Sequence, residues 1–170
     1  YNAQDLVAYR EQVEKGINGC AIIMNDIDMS EVCGQAKGNW TPIGSTAAPF
    51  KGRVIGNGHV ISNLYIRNTK PYQGLFGAIG DGAYITGITL DNTCNIRGGS
   101  YVGGIAGGSN IGGFVTITNC GNEGTIYATQ QNGGGIIGCS NGSHATFIIK
   151  DCYNTGVISG NLENGAISGW

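Results

Sequence analysis

A short phrase closed by glycine recurs along this chain at an almost constant interval. Its four clearest copies close 30, 31 and 31 residues apart, and a looser copy closes 33 residues earlier. The closing glycines are Gly44, Gly77, Gly107, Gly138 and Gly169. Self-similarity at a period of about 20–50 residues is typical of solenoids and propellers, so the chain is predicted to stack similar structural units.

The rest of each period is rich in residues that favour strands and tight turns. The chain contains 22 Ile and 8 Val but only 5 Leu, and β-branched side chains suit a pleated sheet. Each period holds three β-prone pieces separated by Gly, Asn or Asp, which tolerate left-handed backbone conformations. We therefore predict an all-β fold, a right-handed parallel β-helix of about 30 residues per coil, because propeller periods are nearer about 40–50.

Two further phrases predict which side chains stack between coils. Aligning segments 61–64, 85–88, 117–120 and 149–152 places four residues in one apolar core position. These residues are Leu64, Ile88, Cys120 and Cys152. A third phrase places Asn122 and Asn154 32 residues apart, where we expect their amides to form a side-chain ladder.

The first residues follow a different pattern, one that indicates a helix. Asn2 and Asp5 form a plausible capping pair, and Leu6, Tyr9 and Val13 recur at helical spacing. A helix across the open end of a solenoid would shield its strand edges and its core.

This pattern divides the chain into a helical cap at 1–18 and a parallel β-helix at 19–170. The sequence starts at Tyr1 rather than at Met and stops one residue after Gly169, partway through a repeat. We therefore expect the chain to be part of a longer protein, with the β-helix truncated at its C-terminal side.

Composition excludes two classes of partner. The formal net charge is −2, with 9 Lys and Arg against 11 Asp and Glu, so the chain carries no general basic footprint for nucleic acid. No apolar run approaches the roughly 20 residues that a membrane span requires, so we predict no membrane insertion.

The six cysteines form no C-x-x-C pair, and the two histidines have no zinc-site spacing, so no metal site or cofactor is predicted. Cys120 and Cys152 are predicted to be stacked buried thiols, because parallel side chains on adjacent coils suit a disulfide poorly. Cys20 and Cys33, in the less regular first coil, are the better disulfide candidates. The state of the other two cysteines stays open.

Two matches to catalytic motifs lack the structural context that the chemistry needs. Segment 133–138 fits the dinucleotide fingerprint, but a β-prone run follows it instead of a helix. Segment 138–142 fits a nucleophile elbow around Ser140, with His144 and Asp151 close behind, whereas real elbows receive their partners from distant loops. Asp151 also occupies the turn position that Asn119 holds one repeat earlier. We predict no catalytic residues and no enzyme activity.

Acidic and aromatic side chains leave one alternative function open, a carbohydrate-active β-helix that cleaves or binds polysaccharide. Cleavage would need carboxylates clustered on one face, but the acids do not recur at the repeat interval except in turns. The acids within the coils are Asp26, Asp28, Asp81, Asp91, Glu123, Asp151 and Glu163. Asp26 and Asp28 are also candidate Ca²⁺ ligands, although a capping or turn role is favoured. The tyrosines that would stack on sugar rings are Tyr65, Tyr72, Tyr84, Tyr101, Tyr127 and Tyr153.

Several phrases in series resemble the GLUG-motif family. The matching segments are 25–30, 40–44, 50–52, 56–64, 74–77 and the later Gly-Gly-Ile-x-Gly phrases, so the resemblance covers roughly residues 20–169. That family comprises β-solenoid regions of secreted or cell-surface bacterial proteins, including adhesins and non-catalytic regions of IgA-cleaving metalloproteases.

The resemblance implies a structural stalk or an adhesive module, extracellular or on the bacterial cell surface, with a host glycan or protein as its partner. It supplies no catalytic residues and no cofactor. The chain departs from the family pattern at Ile55, where an Asp often precedes Gly-Asn-Gly-His. A turn or ion contact made by that Asp is therefore not expected here.

Overall fold

The computed structural model describes residues 1–109, 111–140 and 145–170, and these contain one α-helix, α1 (Ala3–Glu14). The helix begins at Asn2, whose side-chain oxygen accepts a hydrogen bond from the Asp5 amide at 2.9 Å. The Asp5 carboxylate accepts one from the Asn2 amide at 2.9 Å. This capping box satisfies two amides that the first turn leaves without helical partners. The predicted N-terminal helix is confirmed.

Helix α1 packs against the first coil of the β-structure. Its buried residues are Ala3, Leu6, Tyr9 and Val13. The Tyr9 ring meets Phe50 edge-on, with 6.3 Å between ring centroids, and its hydroxyl donates to the Gly19 carbonyl at 2.8 Å. The helix therefore covers the apolar core at this end of the molecule. Within the described part of the chain, no helix combines the length and hydrophobicity that a bilayer crossing requires.

The other regular elements are short strands and a 3₁₀ helix (Met29–Glu31). The strands are β1 (Cys20–Ile22), β2 (Ile27–Asp28), β3 (Arg53–Ser62), β4 (Tyr65–Arg67), β5 (Phe76–Ile79), β6 (Tyr84–Leu90), β7 (Asn95–Gly98), β8 (Val102–Gly103), β9 (Ala106–Ser109), β10 (Gly113–Thr118), β11 (Gly121–Asn122), β12 (Thr125–Ala128), β13 (Gly133–Gly134), β14 (Ile137–Cys139), β15 (Ala145–Lys150), β16 (Tyr153–Asn154), β17 (Val157–Gly160) and β18 (Asn164–Gly165).

Parallel pairing between successive repeats organises these strands into four sheets. The first sheet has the order β1-β3-β6-β10-β15, with β2 on β3 and β11 between β6 and β16. The second sheet is β4-β7-β12-β17, the third is β8-β13-β18 and the fourth is β5-β9-β14. Because sheet neighbours come from successive repeats, the architecture is a β-solenoid of about four turns. The predicted all-β parallel fold is confirmed.

The closing glycines form one column along the fourth sheet and the bridges that extend it. Pairing registers place them side by side in the order Gly44, Gly77, Gly107, Gly138 and Gly169. A Cβ atom at Gly107 would lie 2.6 Å from the backbone of Tyr72, and one at Gly138 would overlap the backbone nitrogen of Val102. The column is glycine because neighbouring backbone occupies the space of a side chain.

The strands are distributed over four sheets, whereas the sequence predicted three β-prone pieces per period. The glycine phrase is split into two short strands, such as β8 and β9, by a sharp bend. A Cβ atom at Gly103 would overlap the carbonyl oxygen of Ala106, and one at Gly134 would overlap that of Ile137. Only glycine permits this bend. The prediction of three β-prone pieces per period did not include it.

A bulge in β3 overturns one of the predicted alignments. Strand β3 pairs with β6 at an interval of 31 residues from 53 to 84, but of 29 residues from 59 to 88. The pairing of β4 with β7 then places Leu64 beside Cys94 in the second sheet, not beside Ile88. The alignment of Leu64 was wrong because it matched residue types and ignored the interval to the next closing glycine. That interval is 16 residues from 61 to 77 but 22 from 85 to 107.

The later repeats keep the expected register in the first sheet. Ile88, Cys120 and Cys152 share one inward-facing column. The Asn122 side chain is fully buried, and its amide nitrogen donates to the Asn154 side-chain oxygen at 2.8 Å. Each of these amides also donates to a carbonyl two residues ahead in its own turn, at 3.2 Å. The ladder thus supplies partners for polar groups inside an apolar core.

Corners of the solenoid repeat a left-handed backbone conformation. In one column, Gly87, Asn119 and Asp151 have φ values of 70°, 52° and 53°. Asn and Asp tolerate this region better than most side chains, which accounts for their recurrence there. Asp151 is therefore a turn residue in the structure.

Candidate binding surface

The candidate Ca²⁺ ligands are engaged by the protein itself. The Asp26 carboxylate accepts hydrogen bonds from the Val60 amide at 2.9 Å and contacts His59 Nδ1 at 3.0 Å. The Asp28 carboxylate accepts from the Ser30 amide at 2.9 Å and the Asn63 side chain at 2.8 Å, which caps the 3₁₀ helix.

These hydrogen bonds favour the charged forms of both carboxyl groups. The pKa of Asp26 is lowered mainly by the Val60 amide and then by His59. The pKa of Asp28 is lowered mainly by Asn63 and then by the Ser30 amide. Among the described residues no group of three or more His, Cys, Asp or Glu side chains is placed to hold a metal ion.

The other acids of the coils serve separate local contacts. Asp81 accepts from the Phe114 amide, Asp91 from Thr93, Glu123 from the Tyr153 hydroxyl and Glu163 from the Asn132 side chain. The acids that a lyase or glycosidase would bring together are thus dispersed over different turns, each holding a neighbouring segment.

The elbow-like segment has a comparable structural role where it is described. The Ser140 hydroxyl donates to the Trp170 carbonyl at 2.8 Å and lies 3.2 Å from the Ser168 hydroxyl. Asn141, Gly142 and His144 lie outside the described residues.

In the structure none of the six cysteines is joined in a disulfide, and this includes the disulfide candidates Cys20 and Cys33. Burial raises the pKa of Cys33 and raises that of Cys94 to about 12. Cys120 is buried and Cys152 is half-buried in the next turn. The hydrogen bond between these two thiols raises the pKa of Cys120 and lowers that of Cys152.

The surface tyrosines are distributed over several faces. Tyr72 and Tyr101 pack ring against ring at a corner, with centroids 4.9 Å apart. Tyr84 lies under the Arg53 guanidinium at 4.5 Å on the first sheet. Tyr153 donates its hydroxyl to Glu123 at 2.9 Å. Tyr65 and Tyr127 line one shallow groove on the second sheet.

This groove, which we call the arginine groove, has a volume of about 320 Å³ and is lined by outward-facing residues of the second sheet. Register pairing places Tyr65 beside Asn95 and Thr125, and Arg67 beside Arg97, Tyr127 and Ser159. The lining residues are Gln35, Tyr65, Arg67, Asn95, Arg97, Thr125, Tyr127 and Ser159. None of these residues is acidic, so the groove is cationic.

A second concavity of about 350 Å³ lies beside the cap, between Trp40, Pro42, Pro71 and Tyr72. Its amides serve the fold: the Asn39 side chain, for example, exchanges two hydrogen bonds with the Arg67 backbone at 2.7 and 3.3 Å. This concavity therefore offers mainly apolar walls, whereas the arginine groove offers charged and hydroxyl groups.

Sequence reasoning identified the two groove tyrosines but missed its arginines. A signal was present, because the dipeptide Ile-Arg occurs at 66–67 and again at 96–97, one period later. In a solenoid, such a repeat places two guanidinium groups on adjacent rungs of one sheet.

Comparisons with known proteins give one short match. A protein of Evansella cellulosilytica described as a "Putative Gly-rich membrane protein" is 35% identical over 69 residues, which is 40% of this chain and 8% of that protein. The chain therefore spans less than a tenth of the relative's length. No family model matches the chain. No solved structure matches it either.

Proposed function

We propose that this chain is a non-catalytic, extracellular β-solenoid module of a bacterial surface protein, serving as a stalk whose lateral face binds a host glycan or protein. A single observation carries the proposal. Register pairing aligns the side chains of successive turns in straight columns, so the second sheet presents a polar face over the three turns of β4, β7 and β12. A repeated face of this kind favours binding to a repeating ligand.

Three further features support the proposal. The carboxylates that would serve a lyase or glycosidase are held in turn contacts. The relative described above is a glycine-rich membrane protein of which the match covers a small part, as expected of a module. The GLUG-like phrases point to the same class of secreted and surface proteins.

Binding and catalysis are separated by two assays on the purified chain. We expect the chain to bind to glycans on an array or to immobilised host surface proteins. In a depolymerisation assay we expect it to leave the length of acidic polysaccharides unchanged. Chain shortening of any polysaccharide would overturn the non-catalytic assignment.

Localisation has its own test. Antibodies against the chain are expected to label intact, non-permeabilised cells of the source bacterium or to detect the protein in the culture medium. Labelling only after permeabilisation would contradict an extracellular role.

A further inference from the structure

We propose that the arginine groove binds a carboxylate-bearing polysaccharide, with Arg67 and Arg97 as the carboxylate ligands. This inference rests on the proposed binding function and assigns its ligand class and its site. The groove offers such a ligand positive charge, an aromatic contact and hydrogen-bonding groups.

Charge is the first argument. Arg67 and Arg97 are register partners on adjacent strands, which lie about 4.8 Å apart in a sheet. Like charges directly opposite each other destabilise a sheet. Across the described residues, neither guanidinium forms an ion pair with an acid. A bound anion would remove this repulsion, so the pair is complementary to carboxylates spaced along a chain.

An aromatic contact orients one of the two guanidinium groups. Arg97 lies over the Tyr127 ring, with its central carbon 5.0 Å from the ring centroid. A guanidinium attracted to a ring in this way still has a planar N–H edge to offer to an anion. That edge matches a carboxylate with two parallel hydrogen bonds, a geometry that lysine does not provide.

The two columns of the groove also supply groups suited to sugar hydroxyls. The side chains of Asn95, Thr125 and Ser159 offer an amide and two hydroxyls beside the arginines. Tyr65 adds an aromatic ring with a polar edge, a combination that accommodates both the apolar face and the hydroxyls of a sugar. These features favour an acidic saccharide over a simple anion.

The first sheet provides a matched control. There Arg53 lies over Tyr84 at 4.5 Å, the same pairing of residues, but its register partners on the adjacent strands are Cys20 and Tyr84. Arg53→Gln thus removes one charge and one contact, as Arg97→Gln does, without altering the arginine groove. Arg97→Gln alone is therefore compared with it and is expected to bind at least threefold more weakly than the wild type.

Binding of polygalacturonate oligosaccharides to the purified chain at low salt tests the proposal. We expect the double variant Arg67→Gln/Arg97→Gln to bind at least tenfold more weakly than the wild type, and Arg53→Gln to bind within twofold of it. We also expect methyl-esterified oligosaccharides, which lack the free carboxylates, to bind at least tenfold more weakly to the wild type. Unchanged circular dichroism and melting temperature would show that the double variant is folded.

Three results would overturn the proposal. They are no binding of polygalacturonate by the wild type, equal loss of binding in Arg53→Gln, and equal binding of the esterified ligand. None of these three results contradicts the proposed function if the chain still binds another ligand on the array. Cleavage of a polysaccharide would instead overturn the proposed function.

Discussion

The two ends of the solenoid hold the same kinds of apolar column in different environments. At the N-terminal end, α1 covers the first coil, and Phe50, Trp40 and Ile43 are almost completely buried. In the last turn, Val157, Leu162 and Trp170 are each more than 60% exposed.

The difference in burial is also seen between register partners of one column. Ile126 is fully buried, yet Ile158, its partner one turn later, is only half-buried. Ile136 and Ile167 differ in the same way. A coil of this fold therefore does not bury its own apolar residues, because burial requires a layer on both sides.

Alanine substitution along one column should give the largest effect. Ile126→Ala is expected to lower the free energy of unfolding by about 3 kcal/mol, since it opens a cavity between two layers. Ile158→Ala should cost less than half as much, because its site is already partly open. Urea unfolding of both variants measures the difference. Equal losses would show that the last turn is packed as tightly as the interior.

Methyl insertion into the glycine column should have the next largest effect. Gly138→Ala is expected to cost about 2 kcal/mol, because the new methyl group meets the backbone of the preceding turn. Gly169→Ala meets the backbone of the preceding turn as well, but in this chain no described residue packs on the other side of its turn, so the turn can shift. Thermal unfolding should therefore rank Gly138→Ala below Gly169→Ala in stability.

Gly19→Ala serves as the control for this pair, since a Cβ atom there would have no neighbour within 4 Å. A melting temperature near that of the wild type is expected for this control. A large loss in Gly19→Ala would mean that the destabilisation by these methyl groups does not come from contact with neighbouring backbone.

The cap of the N-terminal end should contribute a smaller amount. Asn2→Ala removes the side chain that accepts the Asp5 amide and is expected to cost about 1 kcal/mol. Gln4→Ala, an exposed position in the same turn, should be almost neutral. Chemical unfolding followed by circular dichroism checks both variants, and equal effects would argue that the capping box does not stabilise α1.

Thiol reactivity should report the same contrast without a large change in stability. Because the Cys120 hydrogen bond lowers the pKa of Cys152 while burial raises that of Cys33, alkylation of Cys152 should begin at lower pH than that of Cys33. Peptide mass spectrometry after iodoacetamide labelling across pH 6–9 measures both rates.

Cys120→Val isolates the cause, since Ile88 shows that the column accepts an aliphatic side chain one turn earlier. In that variant the alkylation of Cys152 should move to higher pH. An unchanged profile would assign the lowered pKa of Cys152 to its backbone hydrogen bonds rather than to its thiol partner.

The repeat interval was sufficient to predict the parallel solenoid, and the Asn2 and Asp5 pair to predict the cap. Both depend on local or periodic signals that sequence displays directly. The position of Leu64 was mispredicted because the bulge between Ile55 and His59 shifts the register by two residues. A bulge depends on backbone pairing between strands. The residues at a bulge do not show in the sequence which residues of the adjacent strand they pair with.

The candidate site illustrates the same division. The tyrosines were identified singly, but their separation onto different faces, and the meeting of Arg67 with Arg97 and Tyr127, appear only when the turns are stacked. Four of the acids, Asp26, Asp81, Glu123 and Glu163, likewise gained their partners from segments about 30 residues away.

The sequence by itself determined the period, the parallel pairing and the capped beginning of this protein, because glycine, β-branched and capping residues impose local geometry wherever they occur. Only the tertiary structure decided which side chains are buried and which surface is cationic. Those properties depend on the layer above and below each residue, and that layer is set by the register between turns.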